Sequence, residues 1–233
     1  EAARDRGLHV TADQYPYTSG STRLAAVLQN DAFTDGSGGF GLVKAEDVLI
    51  ATATGNPSHE GRSLASFVKE WDLPAEDAAR KILDEAGDDV YVVLFMMDER
   101  DVRRVMAHPT TMIGTDGIPA GSKPHPRAWG TYARILGRYV RDEGVISLPD
   151  AIYKMSGMPA DKFQLTGRGV VKESAFADLV VFDPSTVIDT ATYEDPKTPP
   201  VGMPHVIVNG VPVVRDGVHT HARVGRALRL GRE

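Results

Sequence analysis

Cysteine is missing from all 233 residues, which removes disulfides and thiolate metal ligands and is the expectation for a chain kept in a reducing compartment such as the cytoplasm. No apolar run approaches the roughly 18 residues that span a membrane, and no charged-then-apolar leader opens the chain. A basic stripe is lacking as well: 26 Lys and Arg against 32 Asp and Glu leave a net charge of −6, with the cations scattered. Nucleic acid is therefore an unsuitable partner. There is no internal repeat or low-complexity segment. What is present is 42% hydrophobic residues, an ordinary content that can bury a sizeable core.

An initiator Met is also absent, and residues 1–7 read as the last turns of a helix closed by Gly7, so the chain is expected to start inside a longer polypeptide. Residues 8–15 are rich in strand formers at their start and stop at Pro16. A stretch with Gly-rich turns at 35–39 and amphipathic helical spacing over 64–71 and 75–86 follows, with the texture of an inserted subdomain. Residues 90–96 are continuously apolar, as a buried strand is, and lead into a helix over 98–107 with acidic residues in its first turn. Residues 111–115 form the next strand, then a proline-containing loop, then helical spacing over 132–142 and 148–156. Strand, loop and helix in that order are the phrase of a βα barrel. From Gly167 the texture becomes short strands, with Asn209-Gly210 between apolar runs as a hairpin signal. The resulting division is 1–21, a barrel strand and loop; 22–89, the insertion; 90–166, the last barrel strands and helices; and 167–233, a β-domain segment.

Asp116 follows a hydrophobic strand and precedes Gly117, the position where barrel enzymes place catalytic side chains, although Asp-Gly is also a plain turn pair. Arg127 lies past Pro124, His125 and Pro126, in a stiffened loop suited to presenting a guanidinium to a carboxylate or to a surface salt bridge. His125 can orient a ligand or serve structurally. Tyr15, Tyr17, Ser19 and Ser21 place phenols and hydroxyls past a strand end, where they can polarise a carbonyl or pack as an aromatic turn. His219 and His221 have the spacing of a two-histidine metal strand but sit in the expected β-appendage, and His59 and His108 have no ligand-spaced partner. Arg23 and Lys123 near the mouth are candidate contacts for an acidic substrate side chain, or ordinary surface charge.

Three stretches carry a resemblance to the N-acyl-D-amino-acid deacylase (D-aminoacylase) family of the amidohydrolase superfamily. They are residues 13–22 (DQYPYTSGST), residues 112–131 (MIGTDGIPAGSKPHPRAWGT), and Gly167-Arg168-Gly169 with residues 177–184 (ADLVVFDP). The resemblance implies an α/β chain that is the C-terminal part of a metal-dependent (β/α)8 barrel with an inserted subdomain and a small β-sandwich segment. It implies zinc-dependent hydrolysis of N-acyl-D-amino acids, with a small molecule of that class as partner. Within it, Asp116 matches a catalytic acid-base that touches the metal, Tyr15 a phenol that polarises and binds the substrate, and Ser21 and Arg127 the grips on the α-carboxylate. The family's remaining zinc ligands, histidines and a bridging cysteine, have no counterpart here. A catalytic zinc takes about three protein ligands. The upstream half of the same polypeptide is thus the expected second partner, the isolated chain is expected to be inactive, and a cyclic-amide hydrolase or a non-catalytic remnant are the alternatives.

Overall fold

The first helical turn, α1 (Ala2–Asp5), closes as its glycine predicts. Gly7 adopts φ +81°, and the N–H groups of Gly7 and Leu8 donate to the carbonyls of Arg4 and Ala3, the two bonds of a Schellman cap. The computed structural model describes residues 1–29 and 43–228, so the turn at 35–39 lies outside the described residues.

Strand β1 (Ala12–Gln14) is shorter than the run read from sequence, and Leu8 and Val10 lie exposed before it. Strand β2 (Ser19–Arg23) runs into helix α2 (Leu24–Gln29), and after the gap come β3 (Val48–Ala53), α3 (Leu64–Trp71), α4 (Ala75–Ala86) and β4 (Val90–Phe95). Both helices have the bounds that periodicity predicts. Ser63 caps α3 by accepting from the Ser66 N–H, and Gly87 ends α4 at φ +79°.

β4 is the central strand of an antiparallel sheet ordered β2-β4-β3, with Ser21 opposite Val93 and Ile50 opposite Val92. One face carries a core of Leu24, Ile50, Leu64, Phe67, Ile82, Val90 and Val92. Each such side chain contributes roughly 1.5–3 kcal/mol by leaving water. The segment expected among the closing barrel strands pairs with β2 and β3. A continuous apolar run shows that a strand is central without naming its neighbours.

Helix α5 (Glu99–Ala107) starts where the Asp98 carboxylate accepts from the Arg100 N–H and leads to β5 (Thr111–Ile113). β5 lies parallel to β1, pairing Ala12 with Thr111 and Gln14 with Ile113. Buried Lys154 donates to the carbonyls of His108 and Thr111, tying the chain ahead of β5 to the helical layer beneath. That layer begins with α6 (Arg127–Arg134), widens to π-type turns over 135–142, and continues through α7 (Leu148–Ile152) and α8 (Met158–Lys162). Val102, Met106, Ile113, Ile135, Leu136 and Tyr139 form its core.

Four short strands, β6 (Leu179–Val181), β7 (His205–Val208), β8 (Val211–Arg215) and β9 (Val218–His219), make an antiparallel sheet in sequence order. Asn209 and Gly210, at φ +49° and +81°, form the expected two-residue hairpin turn, and Asp216-Gly217 repeats it. No helix of the described residues is long and apolar enough to cross a membrane.

Candidate functional site

The parallel pair β1 and β5 aims two loops in one direction, so residues far apart in sequence meet beyond Gln14 and Ile113. Asp116 sits three residues past β5 at φ +45°, a left-handed conformation that a short polar side chain tolerates better than most. Its carboxylate, 70% exposed, places Oδ2 2.7 Å from Nη2 of Arg127, whose side chain is 1% exposed. The guanidinium also lies over the Tyr15 ring, 4.3 Å from the centroid, and Nη2 is 3.4 Å from the Ser21 carbonyl. The four residues singled out from sequence, Tyr15, Ser21, Asp116 and Arg127, thus come together around one guanidinium. Ser21 meets it through its backbone oxygen.

Among the described residues Nε and Nη1 of Arg127 have no hydrogen-bond partner of good geometry, the Tyr15 ring lying against them instead. A buried donor left unmatched costs about 1–3 kcal/mol. The fork geometry of guanidinium fits a carboxylate, and here it lies directly beneath the Tyr15 ring that lines both cavities. Burial raises the Tyr15 phenol above its ordinary value, with Arg127 opposing and Asp116 adding to the rise, so the phenol keeps its proton and can donate.

His125 fixes the start of α6. Its Nδ1 accepts from the Arg127 backbone N–H at 3.0 Å, which leaves the proton on Nε2, facing the Ser19 carbonyl at 3.0 Å and hydroxyl at 2.8 Å. Burial, and secondarily the Arg127 charge, push the imidazole down to about 3, against the Ser19 carbonyl, which favours the charged form. The ring is neutral and structural in this arrangement. Ser19 Oγ lies 2.5 Å from the Tyr193 hydroxyl, and Tyr193 packs edge-on against His125 and Phe95. Sequence reading missed Tyr193. Its only signal was an aromatic residue in an otherwise polar, proline-rich connection.

Two cavities share Asp13, Gln14 and Tyr15. One of about 260 Å³ is completed by Gly114 and Asp116, and one of about 490 Å³ by Tyr17, Met96, Met97, Val102 and Val105 with Asp98 and Asp101. No group of three or more His, Cys, Asp or Glu among the described residues could hold a metal. His59 is buried against Phe67 and Trp71 with Nε2 on Glu85, His108 contacts Thr110 and Glu1, and His219 and His221 meet edge-to-face at the exposed end of the β-sheet. Arg23 pairs with Asp89 and the Tyr91 ring, while Lys123 donates to the Glu194 carbonyl. Neither cation is spare at the cavity.

Comparison with known proteins gives the family. Residues 74–214 match the amidohydrolase family. The chain is 41% identical over 219 residues to a D-aminoacylase of Alcaligenes xylosoxydans xylosoxydans, covering 94% of this chain and 42% of that protein. It is 38% identical over 229 residues to an N-acyl-D-glutamate deacylase of the same organism, covering 98% and 43%. A crystal structure of N-acyl-D-glutamate deacylase from Bordetella bronchiseptica, complexed with zinc and a phosphonate mimic of the tetrahedral intermediate, superposes with a TM-score of 0.79 at 38% identity, covering 91% of this chain and 41% of that one. The chain belongs to the amidohydrolase family, with the mixed helix-and-sheet fold of D-aminoacylase structures. It spans less than half the length of these relatives.

Proposed function

We propose that this chain is the C-terminal part of a zinc-dependent N-acyl-D-amino-acid deacylase, with upstream residues completing a (β/α)8 barrel into which the region 22–89 is inserted. The observation that carries the reading is the buried Arg127, stacked on Tyr15, paired with Asp116, and left with two unmatched donors. An N-acyl-amino acid offers the matching anion, with its amide one carbon away. In this reading Arg127 holds the α-carboxylate beside the Ser21 carbonyl strand, and the Tyr15 phenol donates to the acyl oxygen as negative charge develops there. Asp116 takes a proton from the attacking water and returns it to the departing amine as the C–N bond breaks.

Zinc fits this chain only in part. Asp116 is an oxygen donor of suitable kind at the cavity, but the described residues supply no ligand group around it. When bound by the completed protein, zinc polarises the acyl carbonyl and activates water. The larger cavity, walled by Met96, Met97, Val102 and Val105 with Asp98 and Asp101 at hand, suits an apolar D-side chain and repels an acidic one. The test is to assay the complete polypeptide with N-acetyl-D-leucine, its L-enantiomer, N-acetyl-D-glutamate and dihydroorotate. Hydrolysis of the apolar D-substrate first is expected. Turnover of dihydroorotate alone, or no turnover at all, would overturn the reading.

A further inference from the structure

The loop that carries Asp116 and Arg127 is fastened at its midpoint to the region inserted between β1 and β5. Strand β3 bulges between Ile50 and Thr52, which takes Ala51 out of the ladder with β4. The freed Ala51 carbonyl accepts from the Lys123 N–H, and the Thr52 hydroxyl donates to the Ala120 carbonyl at 2.8 Å. Gly121 sits at φ +75° against the same strand, where a Cβ would lie 2.2 Å from Thr52 Oγ1. Only glycine allows that approach. One side chain closes the arrangement. Glu60, in the turn after β3, accepts from the Ala53 N–H with Oε1 at 2.9 Å and from both the N–H and the hydroxyl of Ser122 with Oε2, the N–H bond being 2.8 Å. A single carboxylate therefore bridges the end of β3 and the middle of the loop, on charge-assisted bonds of the stronger kind.

We propose that Glu60 is a positioning residue that sets the separation of Asp116 and Arg127 by clamping residues 120–123 onto the bulged strand, so that the inserted region tunes the grip on the substrate carboxylate. The clamp stands on the hydrogen bonds alone, while its effect on substrate rests on the deacylase reading. Bulges beside active sites commonly re-aim a neighbouring segment in this way. Small displacements matter here, because an error of about 1 Å in a positioned group costs on the order of 10²-fold in rate. In Glu60→Gln one oxygen still accepts, but the amide NH₂ confronts a backbone N–H and releases one side of the bridge.

Two measurements on the complete polypeptide test this. Amide hydrogen exchange at residues 120–123 should quicken at least about tenfold in Glu60→Gln and less in Ser122→Ala, which keeps its backbone bond to Glu60. The Michaelis constant for an N-acetyl-D-amino acid should rise about tenfold in Glu60→Gln, with that for its methyl ester nearly unchanged. Unchanged exchange in both variants overturns the clamp. Faster exchange with equal kinetic losses for acid and ester overturns the positioning role and leaves only a structural one. An unmodified polypeptide that hydrolyses nothing overturns the deacylase reading, and exchange then decides the clamp by itself. If Glu60→Gln fails to fold, Ser122→Ala carries both measurements.

Discussion

Replacing Arg127 by Met should cost the enzyme its substrate while costing the fold little. A guanidinium that binds a carboxylate through two charge-assisted hydrogen bonds contributes roughly 3 kcal/mol, at about 1.5–3 kcal/mol per bond before the entropy of holding the ligand. At about 1.4 kcal/mol per tenfold, kcat/KM for an N-acyl-D-amino acid should fall on the order of a hundredfold. Stability should respond differently. Arg127 is fully buried, and among the described residues two of its donors are unmatched and its one carboxylate partner is 70% exposed and can return to water. Removing the charge thus strands no buried charge and only the long contact to the Ser21 carbonyl is lost, whereas truncating one member of a fully buried pair costs about 3–5 kcal/mol. Met retains a stem of similar length and a sulfur that packs well against the Tyr15 ring. The urea midpoint of Arg127→Met should therefore equal or exceed that of the unmodified protein. Arg127→Lys, which keeps charge but not the fork, should fall between the two in affinity. Kinetics with the free acid and its methyl ester, together with urea unfolding, check this. An unchanged preference for the free acid, or a marked loss of stability in the Met variant, would refute the reasoning.

Asp116→Asn should lower kcat by about 10² or more with the fold intact, because it removes proton transfer and leaves an exposed amide in place of an exposed carboxylate. Tyr15→Phe keeps the ring under Arg127 but loses the phenol donor, so kcat should drop about tenfold to a hundredfold with a smaller change in the Michaelis constant. The 233-residue chain expressed alone should carry no stoichiometric zinc by metal analysis and no deacylase activity, since the described residues hold no ligand cluster; one tightly bound zinc per chain would sink this view. His125 is held at about 3 in the fold against an ordinary 6.5, so between those values the unfolded chain binds the extra proton. Stability should then decline as pH falls from about 6.5, by up to about 1.4 kcal/mol per unit, and urea midpoints should decline less steeply in His125→Gln.

The elements legible in sequence were those whose stabilising contacts are local. α3 and α4 kept their read bounds because the apolar face repeats with the helical period and each stop is written in a cap, Ser63 at one start and Gly87 at one end. The β7-β8 hairpin follows from Asn209 and Gly210, which accept positive φ at small cost. Partners set by tertiary packing were not legible. Residues 90–95 announced a buried strand, but only the sheet shows β2 and β3 on its flanks. The widened turns after α6 run through residues whose spacing reads as plain helix, and Gly137 is needed there because a Cβ would lie 2.5 Å from the Val187 carbonyl, contributed by a distant connection. Tyr193 comes from that same connection and was missed for the same reason.

The site stands out in the structure by its unmatched buried donors rather than by any local pattern in the sequence. Among the described residues four buried side-chain polar atoms lack a partner; two are nitrogens of Arg127, and a third, Tyr17 Oη, lies towards Gly130 on α6. The fourth, Nδ1 of His59, belongs to a ring otherwise held by Asn56 and Glu85. Elsewhere buried polar groups are answered within the fold, as Lys154 is by two carbonyls and Thr131 by the Arg127 carbonyl. Asp116 adopts a left-handed conformation there, as Asp72 and Asp216 do elsewhere, at the modest cost a short polar side chain allows. A fold tolerates unmatched buried donors where a ligand can offset them. A chain shaped only to pack as a scaffold gains nothing from burying a guanidinium whose sole carboxylate partner among the described residues is mostly in water. The cluster therefore favours a carboxylate-binding enzyme over a non-catalytic remnant, and it does so from the energetics of one side chain rather than from likeness to other proteins.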